Sequence, residues 1–207
     1  MSENIINIKK INKDRKRVQI IRTSLKLFSK SGFHSTTIPE IMKNLNMSTG
    51  NFYNYFSSKD DLAEEIIKYI SNELGSKLRE INESSLSTKK KIREIVHVYF
   101  QTAQEEPEML DFFLRVYLSN RETYKERCEG ITCITAFVTE LMIFFDNGVQ
   151  TGDLRNQDFF SAFGLFMGYL GGMVFLNGES ILPQTLDYYE ESIAENIYRA
   201  LKRDDTE

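Results

Sequence analysis

Apolar residues recur at helical spacing along almost the whole chain, and this periodicity limits the possible folds more than any other feature. In the first segment Val18, Ile21, Leu25 and Phe28 follow one another at intervals of three or four residues, which places them on one face of a helix. No alternating run of apolar and polar residues is flanked by hairpin turns, so strands are not expected. The 207 residues, 41% of them hydrophobic, are enough to bury a core. The pattern predicts an all-α protein.

Helix caps and helix breakers divide this pattern into about nine helices. Gly32 is a natural stop for the first helix, and Pro39 is tolerated in the first turn of the second. Thr37 and Glu40 have the spacing of a capping box at the start of that second helix. The predicted helices span residues 14–30, 37–45, 48–56, 59–81, 88–105, 108–119, 122–150, 157–177 and 184–202.

Charge divides the chain into a basic N-terminal part and an acidic remainder. Residues 1–60 contain eleven Lys or Arg and four Asp or Glu, which gives a net charge of +7. The whole chain has a formal net charge of −4, so residues 61–207 carry −11. A basic segment beside an acidic remainder suggests that the first part alone meets a polyanion.

The segment STGNFYNYFSSKDDL, residues 48–62, places four aromatic side chains within five positions. At about 100° per residue, Phe52 and Phe56 share one face of a short helix, whereas Tyr53 and Asn54 point away from it. A helix this short is not stable alone, so the phenylalanines are expected to dock on the two preceding helices. The projecting amides and phenol suit a DNA major groove, because asparagine pairs with adenine and a tyrosine hydroxyl holds phosphate. Two short helices joined by a tight turn therefore predict a helix-turn-helix.

The stretch from Arg17 to Leu62 resembles the DNA-binding domain of the tetracycline-repressor (TetR) family. The matching positions lie at the end of helix one, at the start of helix two and in the aromatic segment: Phe28, Gly32, Thr36, Thr37, Ile41, Ser48, Gly50, Phe52, Tyr53, Tyr55, Phe56, Lys59 and Leu62. Two positions depart from the family pattern, Met42 in place of a small residue and Asn46 in place of a glycine. Asparagine adopts the left-handed conformation readily, so the turn is expected to keep its geometry.

The resemblance implies a set of residues that contact bases or phosphates: Thr37, Ser48, Thr49, Gly50, Asn51, Tyr53, Asn54, Tyr55 and Lys59. The charge pattern adds the arm KKINKDRKR, residues 9–17, whose cations include Arg17 and could reach the DNA backbone or minor groove. A solvated, unstructured tail is the alternative for this arm. The expected domains are residues 1–58, the arm and the helix-turn-helix domain, and residues 59–207, the ligand-binding and dimerisation domain.

The segment Phe159–Leu176 contains no charged residue. Its length of eighteen residues is at the lower limit for a helix that spans a membrane. Acidic residues stand on both sides and no basic cluster flanks the stretch, so a helix buried in a core or interface is expected and no membrane. The resemblance implies that the last two helices form a four-helix interface with a second copy, and a helix pair within one chain is the alternative. The expected interface residues are Gly164, Gly168, Gly172, Tyr189, Ile193 and Ile197.

The helices of the body are rich in aromatic and methionine side chains, which are typical of a core but also suit a pocket for an apolar or flat molecule. Members of the family usually open a pocket among these helices, so the resemblance implies a small apolar or aromatic effector. The expected lining residues are His97, Phe100, Phe113, Tyr117, Phe137, Phe163, Phe166 and Met167. His97 would be the polar or titratable group there, with a surface or satisfied core histidine as the alternative.

The residues offer little chemistry for an enzyme. Two histidines and two cysteines lack the spacing of a zinc site, and no phosphate-binding loop or nucleophile motif occurs. Cys128 and Cys133, five positions apart in a predicted helix, would point in different directions and are expected to be reduced thiols, with a thiol redox sensor as the alternative. We therefore expect no catalytic residue, no metal and no cofactor.

The hypothesis from the sequence is a cytoplasmic, homodimeric repressor that a small molecule releases from a near-palindromic DNA operator. No secretory signal is evident at the N-terminus. One alternative is a helix-turn-helix regulator that a protein partner controls or that acts as an activator. A more distant alternative is an all-α enzyme.

Overall fold

The structure, a computed structural model, describes residues 2–117 and 132–204, and it describes side chains for residues 11–114 and 132–204. Within these ranges the chain forms α-helices and no strand, as the periodicity predicted. The helices are α1 (Ser2–Ser31), α2 (Ile38–Asn44), α3 (Thr49–Phe52), α4 (Lys59–Glu83), α5 (Thr88–Glu105), α6 (Pro107–Asp111), α7 (Thr135–Gln150), α8 (Phe159–Gly178) and α9 (Leu186–Leu201). A π-helical segment, Phe112–Tyr117, follows α6, and a 3-10 turn, Thr132–Ile134, precedes α7.

Two helix bounds differ from the sequence-based prediction. Helix α1 starts at Ser2 and not near residue 14, because no glycine or proline interrupts the segment up to Ser31; the basic arm is therefore helical. Helix α3 has only four residues, and the chain then tightens into turns in which Tyr55 N–H donates to Phe52 O at 2.9 Å. The predicted helix 122–150 lies partly outside the described residues.

The chain divides into two compact units. The described part of the first unit comprises residues 2–69 and 111–117, and that of the second comprises residues 70–110 and 132–204. Helix α4 is continuous from Lys59 to Glu83, so its first half belongs to one unit and its second half to the other. The division between the units thus falls within α4, whereas the sequence placed a domain boundary at residue 58.

The first unit closes around apolar side chains from its successive helices. The fully buried members on α1, α2 and α4 are Ile20, Ile21, Leu25, Phe28, Ile41, Met42, Leu62, Ala63, Ile66 and Ile67. Gly32 ends α1 at a φ of +84°, a left-handed conformation that glycine adopts without strain, and its N–H donates to Phe28 O at 2.9 Å. Met42, which departs from the family pattern, is part of this core.

In the second unit α9 packs along α5. The buried side chains of α9 are Leu186, Ile193, Ala194, Ile197 and Leu201, and those of α5 include Ile92, Ile95, Val96, Tyr99 and Phe100. Ion pairs between the two helices lie alongside this contact, for example Lys89 with Glu195 at 2.7 Å. Ile193 and Ile197 are therefore buried against their own chain. Their assignment to a contact with a second copy is wrong, because helical periodicity shows which face is buried but not what covers it.

Helices α4 and α7 cross at very short distance in the second unit. A Cβ atom on Gly75 would lie 3.0 Å from the backbone carbonyl of Ala136. Ser71 Oγ accepts a hydrogen bond from Phe137 N–H at 3.1 Å and so replaces a cap that Ile134, at the start of α7, does not supply. One turn further along, buried Glu140 accepts hydrogen bonds from the side chains of Arg79 and Asn82. These contacts fix α7 on the second half of α4.

One cysteine differs from expectation. Cys133 is buried and disulfide-bonded, so the prediction of a reduced thiol is wrong at this position. The prediction assumed a regular α-helix through both cysteines, whereas Cys133 lies in the 3-10 turn Thr132–Ile134. Cys128 lies outside the described residues.

Candidate functional site

Helices α2 and α3 are joined by a tight turn with defined end groups. Thr37 Oγ1 accepts from Glu40 N–H at 3.3 Å, and Thr37 N–H donates to the Glu40 carboxylate at 3.4 Å, which confirms the predicted capping box. In the turn, Asn46 has a φ of +54°, as expected for the residue in the position of the family's glycine. Met47 N–H then donates back to Met42 O at 2.9 Å. This local hydrogen bonding directs the chain from α2 into α3.

Two buried aromatic side chains hold α3 in place. Phe52 and Phe56 have 0% and 2% of their surface exposed, and their ring centroids are 5.6 Å apart. Tyr53, on the other side of the helix, is 60% exposed. The expected arrangement, with two buried aromatic residues and an outward polar flank, is confirmed.

The exposed flank of α3 combines small and amide-bearing residues. Gly50 is exposed, and a Cβ atom built on it meets nothing within 4 Å. Asn54 Nδ2 donates to Asn51 Oδ1 at 3.1 Å, which fixes both amides and leaves Asn51 Nδ2 and Asn54 Oδ1 without a partner in the described part of the chain. Ser48 and Thr49 are exposed beside them. The flank thus offers hydrogen-bond donors and acceptors around a position where another molecule can come close to the backbone.

Lys59 has a structural role in this arrangement. Its Nζ atom donates to the carbonyl oxygens of Phe33 at 2.9 Å, Thr36 at 3.1 Å and His34 at 3.4 Å, and it lies 4.5 Å from the centroid of the Phe33 ring. The three ammonium protons are therefore directed at the loop between α1 and α2, which they fix against the start of α4. The phosphate contact expected of Lys59 stays a prediction.

Arg17, at the end of the arm, contacts both α4 and the aromatic segment. Its guanidinium pairs with the Glu65 carboxylate and lies 5.2 Å from the centroid of the Phe56 ring. Partial burial disfavours the charged form of Glu65, but hydrogen bonds from Arg17 and Lys68 outweigh it and lower the pKa of this carboxyl below its ordinary value. Arg17 therefore supports the buried side of α3 by joining α1 to α4, and its contact with DNA stays a prediction.

The predicted effector residues are only partly brought together. Phe137, Phe166 and Met167 line a small cavity of about 10 Å³ in the second unit. The other lining residues, which the sequence did not single out for this site, are Leu74, Leu78, Ile95, Val98, Tyr99, Leu141 and Leu170. Leucines at helical spacing gave no signal that separates a cavity wall from an ordinary core.

The remaining predicted effector residues lie elsewhere. Phe100 is buried but does not line the cavity, and the Phe163 ring lies tilted beside that of Phe159 with centroids 5.7 Å apart. Phe113 lies in the first unit, and the side chain of Tyr117 lies outside the described ones. His97 is an exposed residue of α5 whose Nδ1 is 3.0 Å from the Glu190 carboxylate of α9, so its assignment to the effector site is corrected to the surface alternative.

A second, larger cleft of about 430 Å³ lies between α7, the segment after it and the start of α8. Its walls include the half-exposed Met142 and Ile143, together with Phe145, Arg155 and Phe159. None of the predicted effector residues lines it.

The described residues leave one apolar face of helix α8 uncovered. Gly164, Gly168 and Gly172 are exposed with open space around them, and Phe160 and Phe175 extend the same face, at 63% and 52% exposure. Tyr189 of α9 is half-buried. By length and composition, α8 and the segment Thr132–Gln150 could each cross a membrane, and only 22% of the α8 window is buried. An exposed apolar face of this kind is typical of a surface that interacts with another molecule.

Comparison with known proteins finds a matching family and several similar regulators. Residues 20–66 match the family model of bacterial regulatory proteins, tetR family. The HTH-type transcriptional regulator YerO of Bacillus subtilis (strain 168) is 28% identical over 172 residues, which cover 79% of this chain and 57% of YerO. The regulator YuxN of the same strain is 30% identical over 96 residues, 46% of this chain and 33% of YuxN. The matched part thus spans little more than half of the first relative and a third of the second.

Solved structures agree in fold. The fatty acid degradation regulator FadR from Bacillus halodurans has a TM-score of 0.76 at 16% identity, with 88% of this chain and 94% of that chain covered. The transcriptional regulator FadR from Bacillus subtilis in complex with stearoyl-CoA has a TM-score of 0.74 at 18% identity, with 87% and 97% covered. At these identities the likeness concerns the fold of the chain.

Proposed function

The chain belongs to the tetR family of bacterial transcriptional regulators, and from this premise we propose that it is a homodimeric, cytoplasmic repressor that a small, largely apolar molecule releases from DNA. Two copies would place two α3 helices about 34 to 36 Å apart, on successive major grooves of a near-palindromic operator. The task of the protein is binding and not catalysis.

The observation that carries this proposal is the presentation of α3. Its buried side is occupied by Phe52 and Phe56, while the opposite flank of Gly50, Tyr53 and Asn54 is exposed. Because the aromatic residues already account for the folding of this short helix, the polar flank is free to meet another molecule. Amides and hydroxyls on a basic unit are the groups that read base edges and hold phosphates.

Dimerisation is supported by the uncovered face of α8. Phe160, Gly168 and Phe175 form a charge-free stripe along one side of the helix, and glycines allow a second helix to approach closely. A second copy would cover this stripe by a two-fold symmetric contact. With Ile193 and Ile197 buried in the chain's own core, α9 would contribute through its more exposed residues such as Tyr189.

Release by an effector is supported by the contacts of α4. Its second half shares the small cavity with α5, α7 and α8, and its first half carries Lys59 and Glu65 beside the helix-turn-helix. A ligand that widens the cavity would favour one position of α4 over another, by no more than its difference in affinity for the two states. Couplings of this kind are about 1 to 3 kcal/mol. The stearoyl-CoA complex of Bacillus subtilis FadR supports an effector with a long apolar part.

The proposal is tested with purified protein and the DNA upstream of its own gene. We expect binding at moderate salt that is about a thousand-fold or more tighter than to a shuffled duplex of the same length, as is typical of specific recognition. Footprinting should then show two protected half-sites one helical turn, or a multiple of it, apart. Equal affinity for the shuffled duplex, and for duplexes from a random library, would sink the repressor proposal.

A further inference from the structure

The cleft between α7 and the start of α8 is large enough for a small molecule, and the proposed function does not use it. Its volume of about 430 Å³ lies within the range of about 300 to 1,000 Å³ that is usual for ligand sites. The small cavity of the second unit, at about 10 Å³, holds no more than one water molecule as it stands.

The lining of this cleft has an apolar part and a polar part. Large apolar side chains, among them Met142, Phe145 and Phe159, come from the two helices. Three consecutive polar residues, 155–157, come from the segment between the helices, and part of the cleft surface is polar. A lining of this kind suits a molecule with an apolar body and one polar end.

The segment that carries the polar residues is held in place through its backbone. Leu154 N–H donates to Gly148 O at 2.9 Å, and Arg155 N–H donates to Leu201 O at 3.0 Å. Leu154 is buried against Gly148, where an added Cβ atom would lie 2.5 Å from Leu154 Cδ1. The polar part of the cleft is therefore preformed, which reduces the entropy that a ligand loses on binding.

Arg155 is an exposed cation with no acidic partner among the residues that the structure describes. Its Nε donates to Gln157 Oε1 at 3.1 Å, so its two terminal nitrogens remain available. A guanidinium of this kind binds a carboxylate through two parallel hydrogen bonds. Asp146, the one acid among the described lining residues, already accepts from Gln150 Nε2 at 2.6 Å. The charge at the cleft therefore favours an anionic end on the ligand.

The cleft and the exposed glycine face of α8 lie on different sides of that helix. At about 100° per residue, Phe159 and Ala162 of the cleft point away from Gly164 and Gly168. Ala162 is buried, whereas the two glycines are exposed. The contact with a second copy that we attribute to the glycine face therefore does not account for the cleft.

We propose that the cleft is a second ligand site, which takes an amphipathic carboxylate with its apolar body between α7 and α8 and its carboxylate on Arg155. Aryl and alkyl carboxylic acids share this chemistry. The inference goes beyond the proposed function, whose effector acts at the small cavity. An uncharged molecule of the same shape forms no ion pair with Arg155 and should bind less tightly.

The first part of the test compares two carboxylates with their uncharged amides, 2-naphthoate with naphthalene-2-carboxamide and octanoate with octanamide. Calorimetry at pH 7.5 should show that the wild type binds at least one of the acids about tenfold or more tighter than its amide, because hydrogen bonds to charged groups are the stronger ones. Equal affinities within both pairs, or no binding of any probe up to its solubility, would overturn the proposal.

The second part uses Arg155→Gln, with Arg203→Gln as the matched control. Arg203 is also an exposed arginine of the second unit, but it does not line the cleft. Both variants should melt at the temperature of the wild type. In Arg155→Gln acid and amide should bind equally, through weaker binding of the acid alone, while Arg203→Gln keeps the preference. A preference that survives in Arg155→Gln, or an equal loss in both variants, would show that Arg155 does not hold the ligand.

Asp146→Asn removes the one acid among the described lining residues. Because the carboxylate of Asp146 repels an anion, this variant should bind the acid as tightly as the wild type or more tightly. Weaker binding of the acid would mean that the ligand is not held as an anion, contrary to the proposal.

DNA binding without probe separates this inference from the proposed function. Arg155→Gln and Arg203→Gln should bind the operator as tightly as the wild type, since both residues belong to the second unit. If the wild type shows no specific DNA binding, the repressor proposal fails while the probe result on Arg155 still stands. If DNA binding is specific and the preference for the acid is absent, only the second ligand site fails.

Discussion

At the scale of single residues, the exposed flank of α3 separates folding from recognition. Phe52 and Phe56 are buried, whereas the neighbouring Gly50, Tyr53 and Asn54 are exposed. Substitutions on the exposed flank should therefore leave the fold intact and change only what the helix binds.

Gly50→Ala should make this separation measurable. The added methyl group meets open space in the free protein and favours the helix by up to about 1 kcal/mol, so the free energy of unfolding should be equal or slightly higher. Operator affinity should fall tenfold or more, if DNA approaches the backbone closely at this point (of the order of 1.4 kcal/mol per factor of ten). Denaturant unfolding and fluorescence anisotropy measure the two quantities. Unchanged operator affinity would contradict the close approach.

Tyr53→Phe and Asn54→Ala should affect DNA binding in different ways: the first should lower overall affinity, and the second should lower the discrimination between operator and non-specific duplex. Loss of a phosphate-holding hydroxyl weakens binding to operator and non-specific duplex alike. Loss of an amide that pairs with a base reduces discrimination between them by about 1 to 3 kcal/mol. Both variants are compared on the two duplexes at one salt concentration. If Tyr53→Phe alters discrimination between the duplexes, the phosphate contact assigned to Tyr53 is wrong. If Asn54→Ala weakens binding to both duplexes equally, the base contact assigned to Asn54 is wrong.

His97 should make a small part of the stability depend on pH. The hydrogen bond with Glu190 raises the pKa of His97 above 6.5, although partial burial opposes it. A raised pKa means that the pair's contribution is complete below pH 6.5 and is lost as pH rises through the folded-state pKa. The His97 side chain is half-exposed, so we expect the pair to contribute less than about 1 kcal/mol. Urea unfolding from pH 5.5 to 8.5 should show this loss in the wild type and not in His97→Gln; an identical pH dependence in both would contradict it.

At the scale of helices, packing contacts decide what a residue type is for. Gly75 and Gly168 both lie inside long helices, yet a Cβ atom on Gly75 would meet the Ala136 backbone, while one on Gly168 meets nothing within 4 Å. The first glycine permits the crossing of α4 and α7, and the second lies on a face that no other helix in the described ranges covers.

Gly75→Ala should therefore destabilise the protein despite the better helix propensity of alanine. A carbon placed 3.0 Å from the Ala136 carbonyl forces the two helices apart, which costs about 1 to 3 kcal/mol. The free energy of unfolding by urea gives the measurement. Gly50→Ala is the control, since its methyl group enters open space in another helix. Equal stability of Gly75→Ala and wild type would show that the crossing can relax freely.

The ends of the helices also depend partly on local hydrogen bonds and partly on tertiary packing. The capping box of Thr37 and Glu40, and the left-handed Asn46, depend on hydrogen bonds within a few residues, and both were predictable. The four-residue length of α3 was not, because the turns after Phe52 form as Phe56 docks into the core of the first unit. The prediction placed the start of α1 near residue 14. The helix begins at Ser2 instead, because no glycine or proline interrupts the segment from there.

At the scale of the whole molecule, α8 presents an apolar face that the described residues leave uncovered. Its exposed residues carry no charge over about five turns, and glycine and phenylalanine predominate among them, which is unusual for a surface in water. We attribute the face to a second copy.

Gly168→Glu should test this attribution. The residue is exposed within one chain, so the folded monomer should persist, while a charge buried between two α8 helices would weaken the dimer strongly. Sedimentation should show a monomer for the variant and a dimer for the wild type, and operator binding should fall because two half-sites are no longer held together. A wild type that sediments as a monomer, or a variant that remains a dimer, would contradict the assigned interface.

The sequence by itself determined the all-α fold, the two buried phenylalanines of α3 and the resemblance to a DNA-binding family, because these depend on spacings within a few helical turns. Only the tertiary structure decided which surfaces meet. Ile193 is buried within its own chain, the ammonium of Lys59 donates to loop carbonyls, and the exposed His97 pairs with Glu190. Periodicity identifies the face of a helix that leaves water, but the element that covers it depends on how distant segments pack.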